Sequence, residues 1–184
     1  VISGREEARL IYQGVVHLLP QSDERRLVVD IGGRSTELII GQGYTPGTME
    51  SYRVGSVAWS MRYFGDGVMT ARHFERAEIA AKAVLDDAAS THGPRHWDVA
   101  YGCSGTVGAI ADTLLLAGRV PERYQITREG LDWLRDRLVK AGRFDAIKLE
   151  GIKDERKAVI AGGLSILRAL FDLKNNKGGD NFSV

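Results

Sequence analysis

The stretch Asp30-Ile31-Gly32-Gly33-Arg34-Ser35-Thr36-Glu37 holds the residue types and spacing that could do chemistry. Glycines without side chains let a tight turn present backbone N–H groups as a concave nest for an oxyanion. Ser35 adds a hydroxyl donor, and Asp30 and Glu37 place two carboxylates beside the same turn. Carboxylates oppose an anion unless a cation lies between them. Mg²⁺ takes one or two carboxylates and fills its shell with phosphate oxygens and water. The alternative is an ordinary hairpin with polar decoration. A second glycine turn, Gly102-Cys103-Ser104-Gly105-Thr106, reads as a strand end running into a helix. The free N–H groups and positive dipole end of that helix suit another anion. Here the alternative is a plain strand-to-helix turn with Ser104 as N-cap. Two anion sites of different kinds would suit a ligand with several phosphates.

The elements that must position these turns follow from periodicity. Ser3 and Glu6 have capping-box spacing, and Ala8, Leu10, Ile11, Val15 and Leu18 predict a helix from about Arg5 to Leu18, closed by Pro20. Arg26 to Ile31 and Thr36 to Gly41 read as two strands of a β-hairpin, and Thr48 to Val54 as a third. A short helix is expected within Gly55 to Phe64. A longer one runs over Ala71 to Ala89, capped by Thr70, with Phe74, Ala77, Ala81, Val84, Leu85 and Ala88 on one face. Trp97 to Tyr101 is a fourth strand, followed by a helix to about Ala117. Thr127 and Asp154 cap two more helices. The last dozen residues, from Leu173, read as a polar, glycine-rich, irregular tail. The order predicts an α/β domain with a mixed sheet.

Composition narrows the classes. The chain has 184 residues and a formal charge of 25 − 24 = +1, too little basic excess for a nucleic-acid-coating protein. No apolar run is long enough to span a membrane, and no signal peptide is visible. A single cysteine, Cys103, excludes an internal disulfide and a cysteine metal cage, and a reducing, cytoplasmic setting fits it. Glycine is enriched, 22 residues or about 12% against a usual 7% or so, and clusters beside Asp, Ser and Thr. His17, His73, His92 and His96 lack ligand spacing, and Arg25-Arg26 reads as a charged strand edge.

Four motifs carry a resemblance: Ile2 to Tyr12 (Ile-Ser-Gly-Arg-Glu-Glu-Ala-Arg-Leu-Ile-Tyr), Val28 to Glu37, Gly102 to Thr106, and Asp154-Glu155-Arg156-Lys157. In this order they resemble the Ppx/GppA phosphatases, the exopolyphosphatases and guanosine pentaphosphate phosphohydrolases. The resemblance implies a ribonuclease-H-like fold of the actin/Hsp70/sugar-kinase superfamily. Residues 1–172 would be the second of two such domains, with the first absent from this chain. It implies Glu7 as the catalytic carboxylate for the attacking water, and Asp30 and Glu37 as carboxylates near a divalent metal, Mg²⁺ or another. It implies Gly32, Gly33, Arg34, Ser35, Gly102, Ser104, Gly105, Thr106 and Arg156 as phosphate-binding. Expected partners are polyphosphate or pppGpp, the first actin-like domain, and a second copy in a homodimer, with neither nucleic acid nor membrane. Read without the family, Glu6 and Glu7 are dipole-favouring residues of a first turn, and Arg156 is a solvated arginine. Arg53 is a further candidate to reach the cleft. Two departures stand out. Arg34 replaces a usual third glycine, at roughly 1 kcal/mol if the turn needs positive φ there. The tail lacks the family's further strand and Ser-Asp-Gly motif. Competing readings are a kinase of the same superfamily and a non-catalytic phosphate or alarmone sensor. Little turnover is expected from this chain alone.

Overall fold

Seven residues with β-branched Val28 and Val29 make β1, Arg25–Ile31, and the turn returns the chain as β2, Thr36–Gln42. Their antiparallel register sets Val28 against Ile39, Asp30 against Glu37 and Ile31 against Thr36. β3, Thr45–Tyr52, continues the meander and sets Ser51 beside Glu37. The computed structural model describes residues 4–122, 125–174 and 181–183. Among these, one sheet runs β3-β2-β1-β4-β6-β5, where β4 is Val99–Gly102, β5 Gln125–Thr127 and β6 Asn181–Ser183. β4 lies parallel to β1 and to β6, and β5 antiparallel to β6, so the sheet is mixed as expected.

Side chains alternate across a strand, so Val28 and Asp30 of β1 share a face with Ile39 and Glu37 of β2. One helix packs on that face: α1, Gly4–Val16. It buries Ala8, Tyr12 and Val16, one side chain per turn, against Val28 and Ile39. Tyr12 is fully buried, and its hydroxyl donates to the Gly43 carbonyl at 3.1 Å. Any side chain at Gly41 would overlap the Tyr12 ring. Ser3 of the expected capping box lies outside the described residues.

The opposite face carries the larger core, built on Leu27, Val29, Ile31 and Leu38. It is covered by α2 (Ser56–Tyr63), α3 (Ala71–Leu85), α5 (Gly105–Leu116), α6 (Arg128–Ala141) and α7 (Asp154–Lys174), with the short α4 (Ala88–His92) between α3 and β4. Thr70, Ser104 and Thr127 cap α3, α5 and α6 by accepting from His73, Val107 and Gly130 N–H. α7 is the central helix, and every residue from Ala161 to Phe171 is buried. A charged side chain survives there because it is paired. Arg168, 2% exposed, donates to Glu78 of α3 at 2.6 Å and to Asp132 of α6. Removing one partner would strand a buried charge.

Three expectations are corrected, and one strand is added. The helix read as Ala71 to Ala89 ends at Leu85, and Val84 turns out to solvent. Arg26 is buried rather than a solvated strand edge, donating to the Pro20 carbonyl and the Ser22 hydroxyl. Gln125–Thr127, just ahead of the helix that Thr127 caps as expected, forms an additional edge strand. The tail is not irregular throughout. α7 runs to Lys174, and Asn181–Ser183 inserts as β6 between β4 and β5. A three-residue strand carries no period of its own, and its neighbours in the sheet place it.

Candidate functional site

The hairpin turn is held from below by α2. The Gly32 carbonyl accepts from Ser56 N–H at 2.8 Å and from the Ser56 hydroxyl at 3.1 Å. The Gly33 carbonyl accepts from Val57 and Ala58 N–H at 3.1 and 3.0 Å. These bonds satisfy the first donors of the helix. They also orient the turn. In a trans peptide the C=O and N–H point opposite ways, and no peptide among the described residues is cis. With both carbonyls turned to α2, the N–H groups of Gly33 and Arg34 face away from it. Neither has a backbone acceptor among the described residues. Two adjacent N–H groups are thus left without a backbone acceptor, as a nest for an oxyanion would require. Neither Gly32 nor Gly33 adopts positive φ. Glycine is demanded instead at Gly55, where a Cβ would overlap the Arg34 backbone.

The second turn lies alongside. Cys103 N–H bonds the Val29 carbonyl at 3.0 Å, which fixes Gly102–Thr106 next to the end of β1. A Cβ at Gly102 would stand 2.5 Å from Val107 Cγ1, so that glycine serves packing. Ser104 is the N-cap, as the plainer reading held. Arg156, from the first turn of α7, lies over the exposed start of α5, where a Cβ on Gly105 would overlap its guanidinium. No carboxylate pairs with Arg156 among the described residues, nor with Arg5, Arg34 or Arg53. Thr106 differs from the expectation of a ligand. It is 2% exposed, and its methyl packs at Gly163.

Gly162 and Gly163 were not singled out in the sequence. A Cβ at Gly162 would stand 2.5 Å from Ser60 N, and one at Gly163 would overlap the Thr106 methyl and approach Ser56 Cβ at 3.4 Å. Both turns therefore converge on one bare stretch of α7. Adjacent glycines inside a buried helix cost about 1 kcal/mol each against alanine, and that was the available signal.

The carboxylates gather on the α1 face at the turn end of the hairpin. Glu37, 2% exposed, accepts from Ser51 Oγ at 2.8 Å. Nothing local marks Ser51, which only the register of β3 places there. Burial, then Glu37, then Glu7, raise the Asp30 carboxyl to a pKa of about 6. Glu7 thus belongs to the same cluster, whereas Glu6 is held by Arg9 through two contacts of 2.7 and 2.9 Å. The neighbouring glutamates are sorted by one arginine a turn away. Burial, then Asp30 and Glu37, push the Cys103 thiol far up, so it is no nucleophile at neutral pH.

An acid whose pKa rises on folding takes up protons in the folded state between pH 3.8 and about 6. Stability from this group is therefore full below that window and falls as pH rises through it. Asp30→Asn is expected to stabilise the chain at pH 7.5 by roughly 1–2 kcal/mol after allowance for solvent screening. At pH 4 it should have little effect. Urea unfolding at the two pH values checks this, and equal effects at both would remove Asp30 from a strained carboxylate pair.

A model of the Ppx/GppA phosphatase family matches residues 1–177. The chain belongs to that family. Its fold is also that of solved family members. The type II variant of the Aquifex aeolicus Ppx/GppA phosphatase aligns over the whole chain at 23% identity and TM-score 0.77, covering 60% of that structure. An exopolyphosphatase-like protein aligns at 24% and 0.80, covering 63%. An exopolyphosphatase from Cytophaga hutchinsonii aligns at 23% and 0.78, covering 60%. At these identities the match establishes the shared actin-like fold, a mixed sheet between helices. The chain spans about 60% of the length of these Ppx/GppA structures. Among the described residues no helix is long and apolar enough to cross a membrane.

Proposed function

We propose that this chain forms one wall of the phosphate cleft of an exopolyphosphatase-type hydrolase, as the second of two actin-like domains. The observation that supports the reading is the pair of N–H groups at Gly33 and Arg34 without a backbone acceptor, at the end of the hairpin that carries Asp30 and Glu37, with Glu7 coupled to Asp30 and Arg156 over the start of α5. A terminal phosphate would lie on these donors, with Ser35 and the start of α5 at Gly105 beside it and Arg156 on a neighbouring oxygen. Charge-assisted bonds of this kind are among the strongest a protein makes to phosphate. Glu7, exposed and free of Arg9, orients the attacking water and accepts its proton. The new O–P bond forms as the anhydride P–O bond breaks. The shortened chain leaves with the bonding electrons.

The donors present fit a divalent cation such as Mg²⁺. Half-buried Asp30 and buried Glu37 form a cross-strand pair, and no lysine or arginine bridges either of them among the described residues. Among the described residues no group of three or more His, Cys, Asp or Glu is placed to hold a metal by itself, so phosphate and water would complete the shell. Two carboxylates with phosphate and water completing the shell is the usual Mg²⁺ arrangement. When bound, the ion would neutralise charge on the phosphate oxygens.

Two solved relatives are described as exopolyphosphatase or exopolyphosphatase-like, which favours polyphosphate over pppGpp. Phosphate release from defined-length polyphosphate and from pppGpp, measured on the chain joined to a first family domain, tests this. Preference for pppGpp would reassign the substrate. Failure to release phosphate from either would overturn the hydrolase reading.

A further inference from the structure

A second cavity opens at the other end of α2. It has a volume of about 290 Å³ and lies between Arg62 and Tyr63 at the helix end, Asp66 in the connection, and His73 and Arg76 on α3. α2 has eight residues, or about 12 Å of helix, so this pocket is distinct from the hairpin turn.

Three observations set it apart from ordinary surface. First, no carboxylate among the described residues neutralises its arginines, Arg62 and Arg76, although Asp66 lines the same pocket, and Arg62 lies over the Tyr63 ring, 5.5 Å from its centroid. Second, the connection from Asp66 to α3, beside the cavity, is held by hydrogen bonds. Met69, fully buried, donates its N–H to the Gly142 carbonyl at 2.7 Å, and Phe144 N–H bonds the Gly67 carbonyl at 3.1 Å. Gly67 takes φ +76°, and Asp66 caps the Val68 N–H at 3.0 Å. Third, the ring of His73 is fixed. Its Nδ1 lies 2.9 Å from the Val68 carbonyl, and Phe64 meets it edge-on at 6.1 Å.

We propose that this pocket is an accessory site for a triphosphate-type anion, either inorganic oligophosphate or the tail of a nucleoside triphosphate. Two guanidinium forks match phosphate oxygens bidentately. The volume admits a chain of several phosphates. The site does not depend on the hairpin reading.

The test is a titration of this chain with inorganic tripolyphosphate, followed by amide and arginine side-chain NMR. Shifts are expected at Arg62, His73 and Arg76, separate from any at Gly33 and Arg34. Arg62→Gln with Arg76→Gln should weaken that binding about tenfold or more, whereas Arg156→Gln should leave it intact. Both replaced side chains are exposed, so the fold is retained. Arg62→Lys with Arg76→Lys keeps the charge and loses the fork, and should fall between. Unchanged affinity in the glutamine variant, or no shifts at these three residues, overturns the proposal. Shifts here with none at the turn would uphold it and defeat the hairpin reading instead. Guanosine triphosphate is titrated in parallel. Additional shifts at Tyr63 would name the nucleotide as the source, and equal affinity without them would name the phosphate chain.

Discussion

Glu7→Gln is expected to lower terminal-phosphate release by roughly 10²–10⁴-fold, the usual contribution of a positioned general base. Phosphate-chain affinity should stay nearly intact, because Glu7 makes no contact that builds the turn or the nest. The geometry separates this residue from its neighbour. Glu6 is tied to Arg9, while Glu7 reaches electrostatically to Asp30. Glu6→Gln should therefore cost a little helix stability and leave the rate alone. Rate and affinity are measured on the same variants of the chain joined to a first family domain. Equal losses in both glutamine variants would remove Glu7 from the proton transfer. A loss of binding in Glu7→Gln would make it a binding residue instead.

Gly163→Ala carries the second large effect. A single methyl there would overlap the Thr106 methyl and crowd Ser56, and those two residues support the two turns. Overpacking at a rigid contact costs about 3 kcal/mol. Because Ser56 anchors the Gly32 carbonyl, the nest should be distorted as well, and phosphate-chain binding should fall with stability. Gly108→Ala in α5 is the control. No atom lies within 4 Å of its would-be Cβ, so the change should be neutral or stabilising by up to about 1 kcal/mol. Denaturant unfolding of the two variants decides the matter, and similar stabilities would show that the contact at Gly163 relaxes without cost.

The parts of this fold that are written locally were legible in the chain. Thr70, Ser104 and Thr127 announce helix starts by their own side chains, and the hairpin around Gly32-Gly33 is bounded by β-branched runs on either side. The parts that arise from packing were not. Thr106 looks like a phosphate ligand from its place in the second turn, yet its burial follows from a helix some fifty residues later. Ser51 gains its role only from lying opposite Glu37 in the β3 register. Arg168 carries no local signal, and only α3 and α6 bring Glu78 and Asp132 around it. The Arg34 side chain is exposed, and a close approach that requires glycine is made at Gly55 against the Arg34 backbone, which no local pattern marks.

Calorimetric titration of this chain with defined-length polyphosphate, with and without Mg²⁺, tests the central claim most directly. The account predicts saturable binding that strengthens with Mg²⁺ and weakens as pH falls below about 6, where protons compete for Asp30. It further predicts that Asp30→Asn removes the Mg²⁺ dependence and Arg156→Gln lowers affinity in either condition. Binding indifferent to Mg²⁺, pH and both substitutions, or no binding at all, would contradict it.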